Sequence, residues 1–195
     1  SEYNCQDSVT IPISVNFAPT ASFSVSATNG CSPLNVSITN NSQGATRYNW
    51  TMSDGFQSAT NLNSYTFNNT GTQAQVYTLR LVVQDQYNCS DTASQSVTVY
   101  PQMITSFTPD VTGCSPLTVQ FQNNTTNASV HSWDFNDGNT STAINPLNVF
   151  INQTTAQKTF TVQLKTVSTY GCRDSLTRQI IVNPVFIHLP IQYYK

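Results

Sequence analysis

The sequence predicts an all-β protein, on three observations. Helix-forming composition is missing: Ser, Thr, Asn and Gln supply 87 of 195 residues, and Ser, Thr and Asn are weak helix formers. Apolar and polar residues alternate with period two, as in strands with one buried face. The chain also repeats itself at a spacing of 83 residues, the signature of a tandem array.

Charge patterning agrees. Glu2, Lys158, Lys165 and Lys195 are the only Glu and Lys residues, so the Glu–Lys pairs that support isolated helices are nearly absent. Disorder is not expected. Net charge is −2, 38% of residues are hydrophobic and 11% aromatic, whereas disordered chains pair high charge with few aromatics.

The repeat aligns residues 30–101 with 113–184 without a gap, with 23 identities in 72 positions. Rare residues match: Cys31 with Cys114, Trp50 with Trp133, Gly55 with Gly138, Cys89 with Cys172 and Pro101 with Pro184. The strongest blocks are GCSPL at 30–34 and 113–117, and YNCSD at 87–91 against YGCRD at 170–174. A partial copy opens the chain as YNCQD at 3–7. Residues 1–19 therefore read as the closing strand of a preceding repeat, 20–101 and 102–184 as two full domains. The whole reads as a segment of a longer array.

Taken in order, each copy opens near GCSPL with a strand in which Leu34, Val36 and Ile38 alternate with Asn35, Ser37 and Thr39. Leu117, Val119 and Phe121 repeat the pattern. A central Trp strand follows, then a turn at Asp54-Gly55 or Asp137-Gly138, where Gly supplies a φ that other residues resist. Tyr77, Leu79, Leu81 and Val83 alternate with Thr78, Arg80 and Val82; Phe160, Val162 and Leu164 alternate with Thr161, Gln163 and Lys165. A last strand covers 96–100 and 179–183. About seven strands per repeat around one buried Trp, Trp50 or Trp133, predict immunoglobulin-like β-sandwiches.

Bulk properties narrow the function. Seven Lys plus Arg make no basic patch for phosphate neutralisation, so no nucleic-acid partner is expected. No stretch approaches the ~18 apolar residues of a membrane span.

HSWDFNDG at 131–138 and YNWTMSDG at 48–55 resemble the WDFGDG-type signature of PKD (polycystic kidney disease) domains. The flanking Ala21–Phe23 strand, C-S-P-L and the closing V-x-P fit as well. The resemblance covers about 165 residues. The first copy departs from it, with Thr51 and Met52 after Trp50. The cysteine-containing variety resembles PKD repeats of Bacteroidota surface proteins, including gliding-motility adhesins and type IX secretion cargo. That resemblance implies an extracellular or cell-surface location.

Cys31 and Cys89 are 58 residues apart, as are Cys114 and Cys172. Disulfides Cys31–Cys89 and Cys114–Cys172 are expected, with Cys5 unpaired. A zinc site is the competing reading, but C-x-x-C is absent and there are only two His. Reduced buried thiols are the third. Disulfides would imply an oxidising compartment.

No catalytic constellation can be assembled: His131 sits in the Trp strand, His188 near the end, and the Asp residues fall mostly at turns. No catalytic residue and no required cofactor are expected. Calcium is a weak candidate ligand, through Asp134 and Asp137, against the reading of both as turn residues. Ser8, Thr92 and Ser175 each follow Asp and precede an aliphatic residue, the pattern of bacterial O-glycosylation; a plain surface hydroxyl is the alternative. Ten N-x-[ST] sequons, among them Asn35, Asn68 and Asn127, matter only in a eukaryotic secretory pathway. Residues 185–195 break the repeat and read either as a linker into a next repeat or as a strand that assembles with a neighbour.

The functional expectation is a non-catalytic stalk or adhesive segment of a large bacterial surface protein. Its partners would be neighbouring repeats, with surface polysaccharide or other subunits as further candidates. The alternatives are a filament subunit joined through terminal strands and an accessory carbohydrate-binding module of a secreted hydrolase.

Overall fold

The computed structural model describes residues 6–185. Cys5 and residues 186–195 lie outside them, as do the expectations placed on them. The described residues contain strands and no helix. Seventeen strands run from β1 (Phe23–Val25) to β17 (Arg173–Asn183).

The first repeat forms a five-stranded sheet in the order β2 (Asn29–Cys31), β8 (Ser90–Tyr100), β7 (Gln75–Gln84), β4 (Arg47–Met52), β5 (Gln57–Ser58). A three-stranded sheet holds β1, β3 (Leu34–Asn40) and β6 (Ser64–Phe67). The second repeat copies this with β10 (Val111–Cys114), β17, β16 (Lys158–Val167), β13 (Val130–Asp134) and β14 (Thr140–Ser141). Its other layer is the pairs β11 (Leu117–Gln120) with β15 (Leu147–Phe150) and β12 (Gln122–Asn123) with β9 (Phe107–Thr108). The short β5 and β14, folded back by the Asp-Gly turns, and the parallel β2 and β10 raise the strand number above the seven expected.

Alternation carries through to packing. Along β7, Tyr77, Leu79, Leu81 and Val83 are buried while Thr78 and Arg80 are exposed. In the second repeat, Phe107, Val119 and Phe121 of one layer pack with Trp133, Phe160, Leu164 and Ile180 of the other in a single core. Phe107 and Phe121 lie 5.0 and 5.4 Å from Trp133, and Phe23 packs edge-on to Trp50 at 5.0 Å. Both indoles are sealed, at 0% and 1% exposure. Aromatic pairs in such geometry add to the area they bury. The chain is thus an all-β protein of immunoglobulin-like sandwich sheets.

Compact packing divides the chain into two units. Among the described residues, one comprises 6–28, 36–65 and 77–97; the other comprises 29–35, 66–76 and 98–185. Cys31, Tyr100, Tyr170 and Cys172 all belong to the second.

Candidate functional site at the cysteine loops

The disulfide in this structure joins Cys31 to Cys172, with a Cα–Cα distance of 5.8 Å, while Cys89 and Cys114 are free and exposed. This corrects both expected pairings. In the second repeat Cys114 lies opposite Asn183 in the parallel β10–β17 register, and Cys172 directly precedes Arg173, the first residue of β17. Eleven residues of extended chain therefore separate the two ends, about 36 Å at ~3.3 Å per residue. A disulfide needs Cα atoms roughly 4.4–6.8 Å apart. The first repeat has the same register, with Cys31 opposite Tyr100 and Cys89 directly before Ser90. Equal spacing made the intra-repeat pairing attractive; strand direction forbids it.

Each cysteine sits in a built frame, and both repeats build it alike. At the GCSPL frame, a Cβ on Gly30 would stand 2.6 Å from Leu34 Cδ1, and one on Gly113 2.5 Å from Leu117 Cδ1. In both repeats the glycine leaves room for the leucine side chain, which a Cβ there would oblige to shift. The Ser32 N–H donates to the Tyr100 carbonyl at 3.1 Å, and Ser115 to Asn183 at 3.0 Å. The Ser32 Oγ accepts the Asn69 N–H at 2.8 Å; the Ser115 Oγ accepts that of Asn152 at 2.9 Å. Asn69 Nδ2 then donates to the Gln73 and Val99 carbonyls, and Asn152 Nδ2 to those of Ala156 and Val182. Both Asn side chains are buried, and a buried amide is tolerated only when so satisfied. Sequence reasoning missed Asn69 and Asn152, although they coincide in the repeat.

The Y-x-C-x-D frame is equally regular. The Asp85 Oδ1 accepts the N–H groups of Tyr87 and Cys89 at 2.8 and 2.9 Å; the Ser168 Oγ accepts those of Tyr170 and Cys172 at 3.2 and 3.1 Å. Asn88 and Gly171 take φ of 67° and 81° to close the turn, a region open to Asn and Gly. The Asp of each motif holds the incoming chain. Asp91 Oδ2 accepts the Ala21 N–H and Asp174 Oδ2 that of Thr105, both at 2.8 Å. Those backbone donors keep both carboxyls below the usual carboxylate range.

Around the formed bond, Tyr100 and Tyr170 stack at 4.8 Å with planes 10° apart. Asn127, at φ 60°, donates its Nδ2 to the Gln102 carbonyl at 2.7 Å. Thr72, Pro101, Asn127, Ala128, Ser168, Thr169 and Tyr170 line a cleft of about 200 Å³ beside it.

The remaining candidates are dispersed. Gly55 and Gly138 take φ of 98° and 95°. The Asp54 Oδ1 accepts the Phe56 N–H, and its Oδ2 accepts the Tyr65 hydroxyl at 2.7 Å. Burial, then that hydrogen bond and the Asp54 charge, push Tyr65 up to about 12. The Asp134 and Asp137 carboxylates accept the Asn136 and Asn139 N–H groups of their own turn, and Asn148 Nδ2 donates to Asp137 at 2.7 Å. Ser8, Thr92 and Ser175 are exposed. Among the described residues no three His, Cys, Asp or Glu side chains gather as metal ligands, and no helix is long and apolar enough to cross a membrane.

No curated protein matches the chain. Among solved structures it is similar to the PKD1 domain of the Vibrio cholerae metalloprotease PrtV: 28% identity, 43% of this chain, 99% of that one, TM-score 0.34. It is also similar to the PKD1 domain of Vibrio anguillarum Epp: 26% identity, 45% and 99%, TM-score 0.35. A solution structure from Methanosarcina mazei shares 32% identity over 51% of this chain and 66% of that one, TM-score 0.35. Residues 16–99 match the PKD domain family.

Proposed function

We propose that this chain is a non-catalytic, load-bearing stretch of an extracellular bacterial surface protein, with residues 20–101 and 102–184 as its two modules. The observation that supports this reading is the Cys31–Cys172 bond, which runs from a cysteine of one repeat to a cysteine of the next. A covalent tie between copies carries tension that packing alone would not, and disulfides persist in oxidising compartments. The outward-facing Ser, Thr and Asn of the strands keep the surface polar with few charges. Exposed Ser8, Thr92 and Ser175 are available for glycan attachment on that surface.

Antibodies raised against the chain should label intact cells of the source organism, and external protease should remove the signal. Labelling that appears only after lysis would sink the reading. Non-reducing peptide mapping of cell-derived protein should recover the Cys31–Cys172 cross-link.

A further inference from the structure

We propose that the outer face of the β11–β15 layer is a contact between two copies of this chain, packed on each other about a twofold axis. Leu147, Val149 and Ile151 are 59%, 41% and 54% exposed. Alternation along β15 turns Asn148 and Phe150 inward and these three outward, so they make one aliphatic row. Ile144, just upstream, is 61% exposed. Apolar side chains scattered singly over a surface need no explanation, but a row of them does.

The first repeat supplies the control. Ser64, Thr66 and Asn68 stand at the positions of Leu147, Val149 and Ile151, and Asn61 at that of Ile144. There the polar side chains bond across the layer. Asn35 Nδ2 donates to the Thr66 hydroxyl at 2.9 Å, and Asn40 Nδ2 to Asn61 Oδ1 at 3.0 Å. In the second repeat Thr118 faces Val149 in register, and a valine side chain can make no such bond. The same strand therefore folds with a polar outer face, and folding does not require the aliphatics. Their use lies outside the sandwich.

Charge and symmetry argue that a second copy covers the row. Residues 111–130 and 138–157 contain no Asp, Glu, Lys or Arg. The layer offers a charged partner no counter-charge, yet it meets its own copy without like-charge repulsion. Exposed strands that must stay single are commonly guarded by charged side chains, and this one has none. Thr118 and Gln120 flank the row on the same face. A hydroxyl and an amide both donate and accept, so these groups too can pair with their own copies. Among the described residues β11 is the only strand paired with β15. A contact of one patch with itself closes at two chains. Four aliphatic side chains are few beside the roughly 20–30 residues a side of a standard interface, so the association is weak and depends on concentration. Chains crowded side by side would reach that concentration. The inference goes beyond the proposed function and does not rest on it.

The test uses the full chain with Cys5→Ser, Cys89→Ser and Cys114→Ser, which keeps the Cys31–Cys172 bond and removes thiol-linked multimers. Sedimentation equilibrium up to about 1 mM protein, the range of weak association, should show monomer and dimer and nothing larger. Leu147→Ser, Val149→Thr and Ile151→Asn together install the residues of the first repeat. They should weaken dimerisation by roughly tenfold or more and leave the melting transition in place. A second measurement keeps the row otherwise intact. With a short bis-maleimide, Val149→Cys should give a covalent dimer linked at position 149, whereas Thr66→Cys, at the same place in the first repeat, should not. A chain monomeric at every concentration would overturn the proposal. So would a dimer that the triple variant leaves intact, open-ended multimers, or cross-linking at position 149 no greater than at 66. If the triple variant fails to fold, the cross-linking comparison decides by itself. Surface labelling of cells tests the stalk reading, and neither result bears on the other.

Discussion

The Asp174 carboxylate accepts the Thr105 backbone N–H at 2.8 Å, and Asp91 holds the Ala21 N–H at the same distance. Both carboxyls are thereby held below their usual range. A depressed folded-state value means that the stabilisation is present above the unfolded carboxyl value of about 3.9 and is lost as pH falls through the folded one. Asp174→Asn should lower the urea midpoint at neutral pH and flatten the loss of stability below about pH 4. An acid limb identical to that of the parent would count against the hydrogen bond as its source.

The two tryptophans predict unequal costs. Trp133 Nε1 donates to the Ala143 carbonyl at 2.9 Å, whereas the buried Trp50 Nε1 has no partner among the described residues. Replacing either with Phe removes similar packing, but Trp133→Phe also loses a hydrogen bond while Trp50→Phe removes an unsatisfied donor. Trp133→Phe should therefore be the more destabilising, by about 1–2 kcal/mol, measured by denaturant unfolding. Equal losses would show that the indole N–H groups do not matter.

Tyr65 predicts an alkaline effect. Its hydroxyl is raised to about 12 by burial and by Asp54, so the folded state retains a proton that the unfolded chain loses near pH 10. The stabilisation holds below about pH 10 and disappears as pH rises through the folded value. Absorbance titration should show one tyrosinate that forms well above pH 10, and Asp54→Asn should bring it down. A chain whose tyrosines all ionise together near pH 10 would refute this.

The disulfide predicts how the chain extends under tension. Cys31 and Cys172 are 141 residues apart, so a chain pulled from its ends cannot release that segment while the bond is intact. Adding reductant in a single-molecule experiment should expose about 480 Å of further contour length, at ~3.4 Å per residue. No gain on reduction would mean that the bond is absent in solution.

Much of the architecture was legible because period-two alternation survives folding: the residues of β7 and β16 face the core in the order the pattern demands. The central indoles and the Asp-Gly turns were visible for the same local reasons. The cysteine pairing was not. Sequence spacing records how far apart Cys114 and Cys172 lie along the chain, but not that β10 runs parallel to β17 and meets its far end at Asn183. That parallel pairing is non-local and leaves no mark in the alternation. Asn69 and Asn152 escaped notice for a different reason. With 21 Asn in the chain, a matched pair does not stand out, although these two bracket the loops behind Cys31 and Cys114.

Asp91 and Asp174 each grip a main-chain N–H group of the incoming segment at 2.8 Å, and this is the contact the two seats share. Any residue except proline can offer that donor. The segments themselves bear this out, reading Pro19-Thr20-Ala21 in one case and Met103-Ile104-Thr105 in the other. The connectors between such modules are thus free to drift in sequence while the seat that receives them stays fixed. A chain built this way can diversify its joints without redesigning them.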